Sequence, residues 1–508
     1  MGNVHFLGVE LGSTRIKAVG IDECFRPTAA GDYTWHSEHR DGIWTYSLDE
    51  VWTGLRAALA PLAGEAPRAA GISAMMHGYL AFDKDWQLLV PFRTWQNTMT
   101  ADAAAALTAL FGFNIPQRWS IAHLYQAILN SEEHVRHIAH ITTLAGYVHH
   151  MLTGVNAVGI GEASGIIPID VNTQSYDGAM LDKFDALIAP RGLGWKIRDI
   201  LPDVLLAGDD AGKLTANGAA LLGGALPAGT PFVPCEGDAE TGMTASNAIK
   251  ARTGNVSAGT SMFAMLVLER PLTRIYPEID LVATPDGRYA AMVHCNNGTN
   301  DMNAWVGILR EAAALFGAAP NTGELYTKLY AESLNGDADC GGITVFNYLA
   351  GEVITGLDEG RPMVLRRPEA HFTLANLMRA MLLSPLATLR LGMDILSQDG
   401  VRVDTLVGHG GFFKTPGVGQ RLMSAACGVP VTLMSSAGEG GPYGMALLAA
   451  YKPYREKYSL AGFLDLKVFA NAETVTVTPY IEDVEGFIQY LGRYKKALRA
   501  EEAAAKYT

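Results

Sequence analysis

Short apolar runs broken by glycine-rich polar turns set the rhythm of this chain. His5-Phe6-Leu7-Gly8-Val9-Glu10 reads as a strand, Leu11-Gly12-Ser13-Thr14 as a turn, and Ile16-Lys17-Ala18-Val19-Gly20-Ile21-Asp22 as a second strand. The same order returns in residues 255–266 around Gly259, Thr260 and Ser261, about half a chain length later. A duplicated domain is the simple account of that spacing. Between the repeats, residues 48–62 read as a helix with Asp49 and Glu50 in its first turn. Residues 69–76 read as a buried strand that breaks at His77-Gly78, and residues 88–95 as a strand that ends at Gln96-Asn97-Thr98. Helices are expected over 101–111 and within 117–153, with a short β excursion over 160–170 carrying Glu162 and Ser164. Pro231-Phe232-Val233-Pro234 reads as a buried strand before the turn Cys235–Gly242, and a helix follows from Met243.

In the second half, 301–316 and 373–398 have helical apolar spacing, and 345–349 and 403–407 read as strands. Gly408-His409-Gly410-Gly411 is expected to form a flexible loop before a helix over 416–427. A strand at 431–434 and a small-residue helix at 445–451 follow, and the tail from Val484 to Thr508 is expected to be an amphipathic surface helix. Alternating strands and helices make this an α/β protein.

Length changes the picture next. A chain of 508 residues is too long for one core, so two domains are expected, 1–248 and 249–508. Hydrophobic residues make up 49% and charged residues 18%, which excludes a disordered chain. The net charge of −13 argues against nucleic acid and anionic membrane as partners. The five cysteines are scattered and form no CxxC pair, so neither a disulfide framework nor a structural zinc site is expected. No signal peptide and no apolar run of membrane-spanning length are read in the sequence, and a cytoplasmic enzyme is expected.

Three features carry candidate chemistry. Asp238 sits on a strand-to-helix turn, where a carboxylate either takes a proton from a ligand or caps the helix. The two hydroxyl turns either cradle phosphates with backbone and side-chain donors or are hairpin turns. His77 is either a ligand-facing residue or a satisfied buried histidine.

Taken in order, these motifs resemble the FGGY carbohydrate kinases, in the superfamily of actin and the heat-shock ATPases, from about Leu7 to Tyr451. Glu10-Leu11-Gly12-Ser13-Thr14 with Lys17 is similar to the first phosphate motif, and Gly259-Thr260-Ser261 to the second. Met75-Met76-His77-Gly78 resembles a sugar-lining stretch of ketose kinases, and Trp95-Gln96-Asn97 stands where many members have Trp-Asn-Asp. Gly237-Asp238 with Gly242 resembles the motif of the catalytic base. Residues 346–352 resemble a Pro-Tyr-Leu-Ser-Gly-Glu-Arg run, while Gly408–Gly411 and 439–444 resemble the adenosine region. Glu10 and Asn97 each replace an Asp, Met75 a Gln, Ala239 an Asn and Val353 an Arg.

The resemblance implies two duplicated actin-like (ribonuclease H-like) domains with a cleft. It implies a sugar on Met76, His77, Asn97 and Asp238, with Asp238 as base. ATP falls to Gly12, Ser13, Thr14, Lys17, Gly259, Thr260, Ser261, Gly408, Gly410, Gly411, Gly440 and Gly441. It implies Mg²⁺ near Glu10 and Asp238. The nearest members are xylulose and ribulose kinases. A glycerol-like polyol kinase is the runner-up, and an actin-like ATPase or a non-catalytic sugar sensor the rivals. The partners implied are a small sugar and ATP, with room for a homodimer.

Overall fold

The computed structural model describes residues 4–434 and 440–508. The chain begins with β1 (Phe6–Leu11), β2 (Arg15–Ile21) and β3 (Pro27–Thr34). A small hairpin of β4 (Glu38–Arg40) and β5 (Ile43–Thr45) leads to α1 (Leu48–Leu59) and β6 (Ala69–Ala74). Further on come α2 (Ile160–Ser164), β7 (Glu236–Gly237) and α3 (Asp238–Ala245). After them run β8 (Thr253–Ala258), β9 (Met262–Val267), α4 (Leu374–Gln398), β10 (Thr405–His409), α5 (Val418–Cys427) and β11 (Val431–Met434). The last elements are α6 (Gly440–Tyr451), β12 (Thr474–Val477) and α7 (Ile481–Tyr507).

These elements fall into two compact units. The first comprises Met1–Ile249, Asp280–Ala290 and Glu439–Ala472; the second comprises Lys250–Ile279, Ala291–Gly438 and Glu473–Thr508. In unit 1 the sheet order is β7-β6-β1-β2-β3. β1 pairs antiparallel with β2, setting Glu10 opposite Lys17, and parallel with β6, setting Leu11 opposite Ala74. β7 continues the sheet parallel to β6, with Gly237 opposite Ala74. So Glu10, the start of the His77 loop and Asp238 are gathered at one end of three adjacent strands, where α/β proteins carry their sites. β1 and β6 are apolar almost throughout because both faces are covered. One cover is α6, whose backbone lies directly on β1: a Cβ on Gly8 would come within 2.0 Å of the Pro442 carbonyl oxygen. α1 is amphipathic, capped by Ser47, with Asp49 and Glu50 in its first turn as expected.

Unit 2 repeats the arrangement. β8 pairs antiparallel with β9 and parallel with β10, and β11 and β12 follow in the sheet. The strand–turn–strand–parallel neighbour pattern is thus the same in both units, as duplication requires. Of the described residues one helix, α4, is long and apolar enough to cross a membrane. It is a core helix instead: 72% of its apolar window is buried, and its Arg379 pairs with Asp483.

Several expected elements differ. Residues 88–95 make only isolated bridges, Phe82 with Leu88 and Tyr79 with Arg93, because Pro91 interrupts the ladder. Residues 160–164 are the helix α2 rather than a β excursion. The strand expected over 231–234 shrinks to isolated bridges, its two prolines lacking N–H donors, and the regular strand is Glu236–Gly237. Gly408 and His409 belong to β10, not to a loop. The tail is no mere surface helix. α7 buries Phe487, Tyr490, Leu491 and Tyr494, and its Asp483 is held by Arg379 of α4 and Arg421 of α5.

Candidate active site at the strand ends of unit 1

The site is built on the turn from β7 into α3. Gly237 is the residue before the helix and Asp238 its first residue. Met76 N–H, at the end of β6, donates to Asp238 Oδ1 at 3.3 Å. Burial pushes the Asp238 carboxyl up to about 6, with backbone N–H groups of Met76 and Ala239 opposing the shift. The helix is anchored by Thr241, whose Oγ1 donates to Gly237 O at 3.1 Å and lies 3.1 Å from Ser73 Oγ of β6.

Glu10 closes the other side. A Cβ on Gly12 would lie 3.3 Å from Glu10 Oε1, and one on Gly441 only 1.5 Å from Glu10 Oε2. The carboxylate therefore rests between the β1–β2 turn and the first turn of α6. Burial first, then the Asp238 charge, pushes Glu10 up to about 7, while Lys17 across the hairpin pulls it down. Two carboxylates whose proton affinity is raised in this way are disposed to share a cation. Among the described residues no three or more His, Cys, Asp or Glu side chains are arranged to hold a metal ion. A carboxylate pair fits Mg²⁺, which takes one or two carboxylates and fills its shell with water and substrate phosphates.

The β1–β2 turn is closed by Gly12 N–H donating to Arg15 O at 2.9 Å. Its carbonyls face inward: Gly12 O accepts from Trp35 Nε1 at 2.7 Å and Ser13 O from the Tyr46 hydroxyl at 2.6 Å. In unit 2 the Gly259–Ser261 turn has the same design. Gly259 N–H donates to Ser261 O, and Thr299 N–H and Gly298 N–H donate to Gly259 O and Thr260 O, all at 2.9 Å. Gly259, Gly411 and Gly440 face open space, whereas Gly408 lies on the Phe413 ring and Gly410 on Ala258. Gly440 and Gly441 belong to unit 1 with α6; Glu439, grouped with them from the sequence, lies outside the described residues.

His77 and Gly78 both have left-handed backbones at the end of β6, with φ of 68° and 87°. His77 is buried and parallel to the Trp119 ring. Burial, with Arg118 adding to it, holds its pKa well below the usual histidine range, so the ring is neutral. Asn97 is the surprise. Its Oδ1 accepts from Trp44 N–H at 2.9 Å, and its Nδ2 donates to Trp44 O at 2.8 Å and Thr94 O at 2.9 Å. Both amide hydrogens are thus engaged by backbone, leaving one acceptor lone pair free.

Sequence reading gave no role to Glu162, Glu236 and Glu240, which the fold stacks behind the Asp238 turn. A Cβ on Gly237 would meet Glu240 Oε2 at 2.3 Å and Glu162 Oε2 at 2.9 Å; one on Gly161 would meet Glu236 Oε2 at 2.5 Å. Glu236 Oε2 accepts from Glu162 N–H, but the five other oxygens of the trio are buried with no hydrogen-bond partner among the described residues. Burial pushes Glu236 up to about 8 and the other two well above the usual range. Burial therefore favours the protonated form across the trio. The only signal in sequence was the density of acids in Glu236-Gly237-Asp238-Ala239-Glu240.

Comparison with known proteins bears on this geometry. Residues 5–244 match the N-terminal domain, and residues 254–452 the C-terminal domain, of the FGGY family of carbohydrate kinases. A xylulose kinase from Haemophilus influenzae is 23% identical over 441 residues, covering 81% of this chain and 83% of its own. A ligand-bound xylulose kinase structure from Lactobacillus acidophilus aligns with a TM-score of 0.80 at 17% identity, over 99% of both chains. A Plasmodium falciparum glycerol kinase with ADP aligns with a TM-score of 0.77 at 12% identity, also over 99% of both chains. The two-domain, actin-like (ribonuclease H-like) architecture expected from the sequence is thus the one found. At these identities the fold does not separate a ketose kinase from a glycerol kinase.

Proposed function

The chain belongs to the FGGY family of carbohydrate kinases, and we propose that its substrate is a ketose, a pentulose such as xylulose or ribulose, with Asp238 as general base. It is an ATP-dependent sugar kinase by that membership. The observation that carries the role of Asp238 is its seat. It is the first residue of α3, fixed by the Met76 N–H, with its carboxyl pushed up to about 6. Such a group is deprotonated at neutral pH yet basic enough to take a hydroxyl proton. In the proposed reaction the sugar hydroxyl oxygen forms a bond to the γ-phosphorus of ATP. The bond between that phosphorus and the β–γ bridging oxygen breaks, ADP leaves, and the hydroxyl proton passes to Asp238.

Met76 and the neutral His77 line the sugar in this reading. Gly12, Ser13, Thr14, Lys17, Gly259, Thr260, Ser261, Gly408, Gly410, Gly411, Gly440 and Gly441 are assigned to ATP. Mg²⁺ would be held by Glu10 and Asp238, directly or through water, and when bound offsets phosphate charge. The name of the Haemophilus influenzae relative supports the ketose over a polyol. The test is ADP release from ATP·Mg²⁺ by the purified protein against a panel of ketoses, polyols and aldoses. Ketose-dependent release is expected. Release that needs a polyol instead, or no sugar at all, overturns the reading.

A further inference from the structure

Unit 1 leaves the Trp44 indole partly in water, at a cost. Trp35 and Trp119 are fully buried and Trp52 nearly so, yet Trp44 is 37% exposed. Exposed indole forfeits the burial free energy that makes tryptophan useful in a core. The fold nevertheless fixes this residue tightly. Trp44 N–H donates to Asn97 Oδ1, and Trp44 O accepts from both Asn97 Nδ2 and Thr94 N–H. Asn97 is itself only 4% exposed, so a buried amide is committed to the backbone of an exposed residue. His39, across the β4–β5 hairpin, backs the indole with ring centroids 4.8 Å apart.

The surroundings say what the indole is for. Two residues on, the Tyr46 hydroxyl donates to Ser13 O, tying the segment to the β1–β2 turn. On its other side lies the Thr94–Asn97 turn, which carries a second exposed indole, Trp95, at 39%. The segment bearing Trp44 is therefore tied at its backbone to the Thr94–Asn97 turn and, through Tyr46, to the β1–β2 turn. A polyhydroxylated substrate offers C–H groups as well as hydroxyls, and a flat apolar ring meets them by dispersion without demanding a hydrogen bond.

We propose that Trp44 is a sugar-contacting, specificity-determining residue, its indole the platform for the C–H face of the substrate, and that Asn97 is the positioning residue that holds it. The inference rests on the sugar-kinase reading of this site. It moves Asn97 from touching the sugar to acting through Trp44.

The experiment uses full-length Trp44→Ala and Trp44→Phe, both checked for wild-type circular dichroism. KM is measured for D-xylulose and for ATP, and tryptophan fluorescence is titrated with D-xylulose in the absence of ATP. The expected result for Trp44→Ala is a D-xylulose KM raised about tenfold or more with ATP KM within about twofold, and rescue by Trp44→Phe. The sugar-dependent fluorescence change should be present in the wild type and lost in Trp44→Phe. A D-xylulose KM unmoved in a folded Trp44→Ala, an equal rise in both KM values, or an unaltered fluorescence change in Trp44→Phe overturns the proposal. Wild-type protein that releases ADP with no sugar of the panel sinks the parent reading instead. In that case an absent fluorescence response to D-xylulose rejects the Trp44 site as well.

Discussion

Replacing Asn97 by Asp swaps one atom and reverses the chemistry of a buried clamp. In the wild type the amide nitrogen donates to Trp44 O at 2.8 Å and Thr94 O at 2.9 Å. In the variant an acceptor oxygen faces both carbonyls, while the Trp44 N–H contact at 2.9 Å survives. Both carbonyls keep a second, backbone donor, Thr94 N–H for Trp44 O and Asn97 N–H for Thr94 O, so the cost is that of two lost hydrogen bonds, about 1–3 kcal/mol for the pair. At about 2–4 °C per kcal/mol for a unit of this size, the melting temperature should fall by about 5 °C. A carboxyl in that seat can relieve the loss by keeping its proton and donating once. Its pKa is then raised in the folded state, so its stability deficit is smallest at low pH and grows as pH rises. Thermal melts of Asn97→Asp at pH 5 and pH 8 read both effects. A variant that melts with the wild type at pH 8, yet discriminates differently among ketoses, would refute the clamp and restore a direct sugar contact.

Other consequences are equally open to measurement. Glu236 is raised to about 8 in the folded chain, from 4.5, so between those values the unfolded state binds fewer protons and stability falls as pH rises. Glu236→Gln should flatten this slope by several kcal/mol across the window in urea melts at pH 5.5 and 8; an unchanged slope counts against a protonated Glu236. Gly441→Ala puts a methyl 1.5 Å from Glu10 Oε2 and 3.0 Å from Thr241 Oγ1. It should destabilise unit 1 by about 1–3 kcal/mol and raise the Mg²⁺ concentration needed for activity, whereas unchanged melting and Mg²⁺ dependence would speak against the Glu10 seat. Because a base works only deprotonated, kcat/KM should rise with pH through about 6, the value at Asp238; a profile flat from pH 5 to 8 would not fit.

Strands buried on both faces were legible where they are apolar almost throughout, as β1 and β6 are. The errors share a cause: local pattern lost to context. Val233 and Phe232 are core residues, but prolines on either side deny them a ladder. Ile160–Ser164 is too short for periodicity to distinguish helix from strand. The tail reads as surface because its charges dominate, yet the aromatic positions Phe487, Tyr490 and Tyr494 line one buried face. In the site, the turn bearing Asp238 was visible as an acid between strand and helix. Glu162 and Glu240 were not, since a lone sequence presents glutamates as solvated and only the fold shows them fully buried. Asn97 was singled out for its place in a motif, but which atoms its amide meets depends on a hairpin fifty residues earlier.

The central claim is tested most directly by the turnover of Asp238→Asn under conditions where the wild type phosphorylates its sugar. The amide keeps the shape and the Met76 contact but cannot take a proton. Turnover should fall by about 10²–10⁴ while sugar and ATP binding, read by calorimetry, stay close to wild type. Turnover near the wild-type value in that variant would contradict the account.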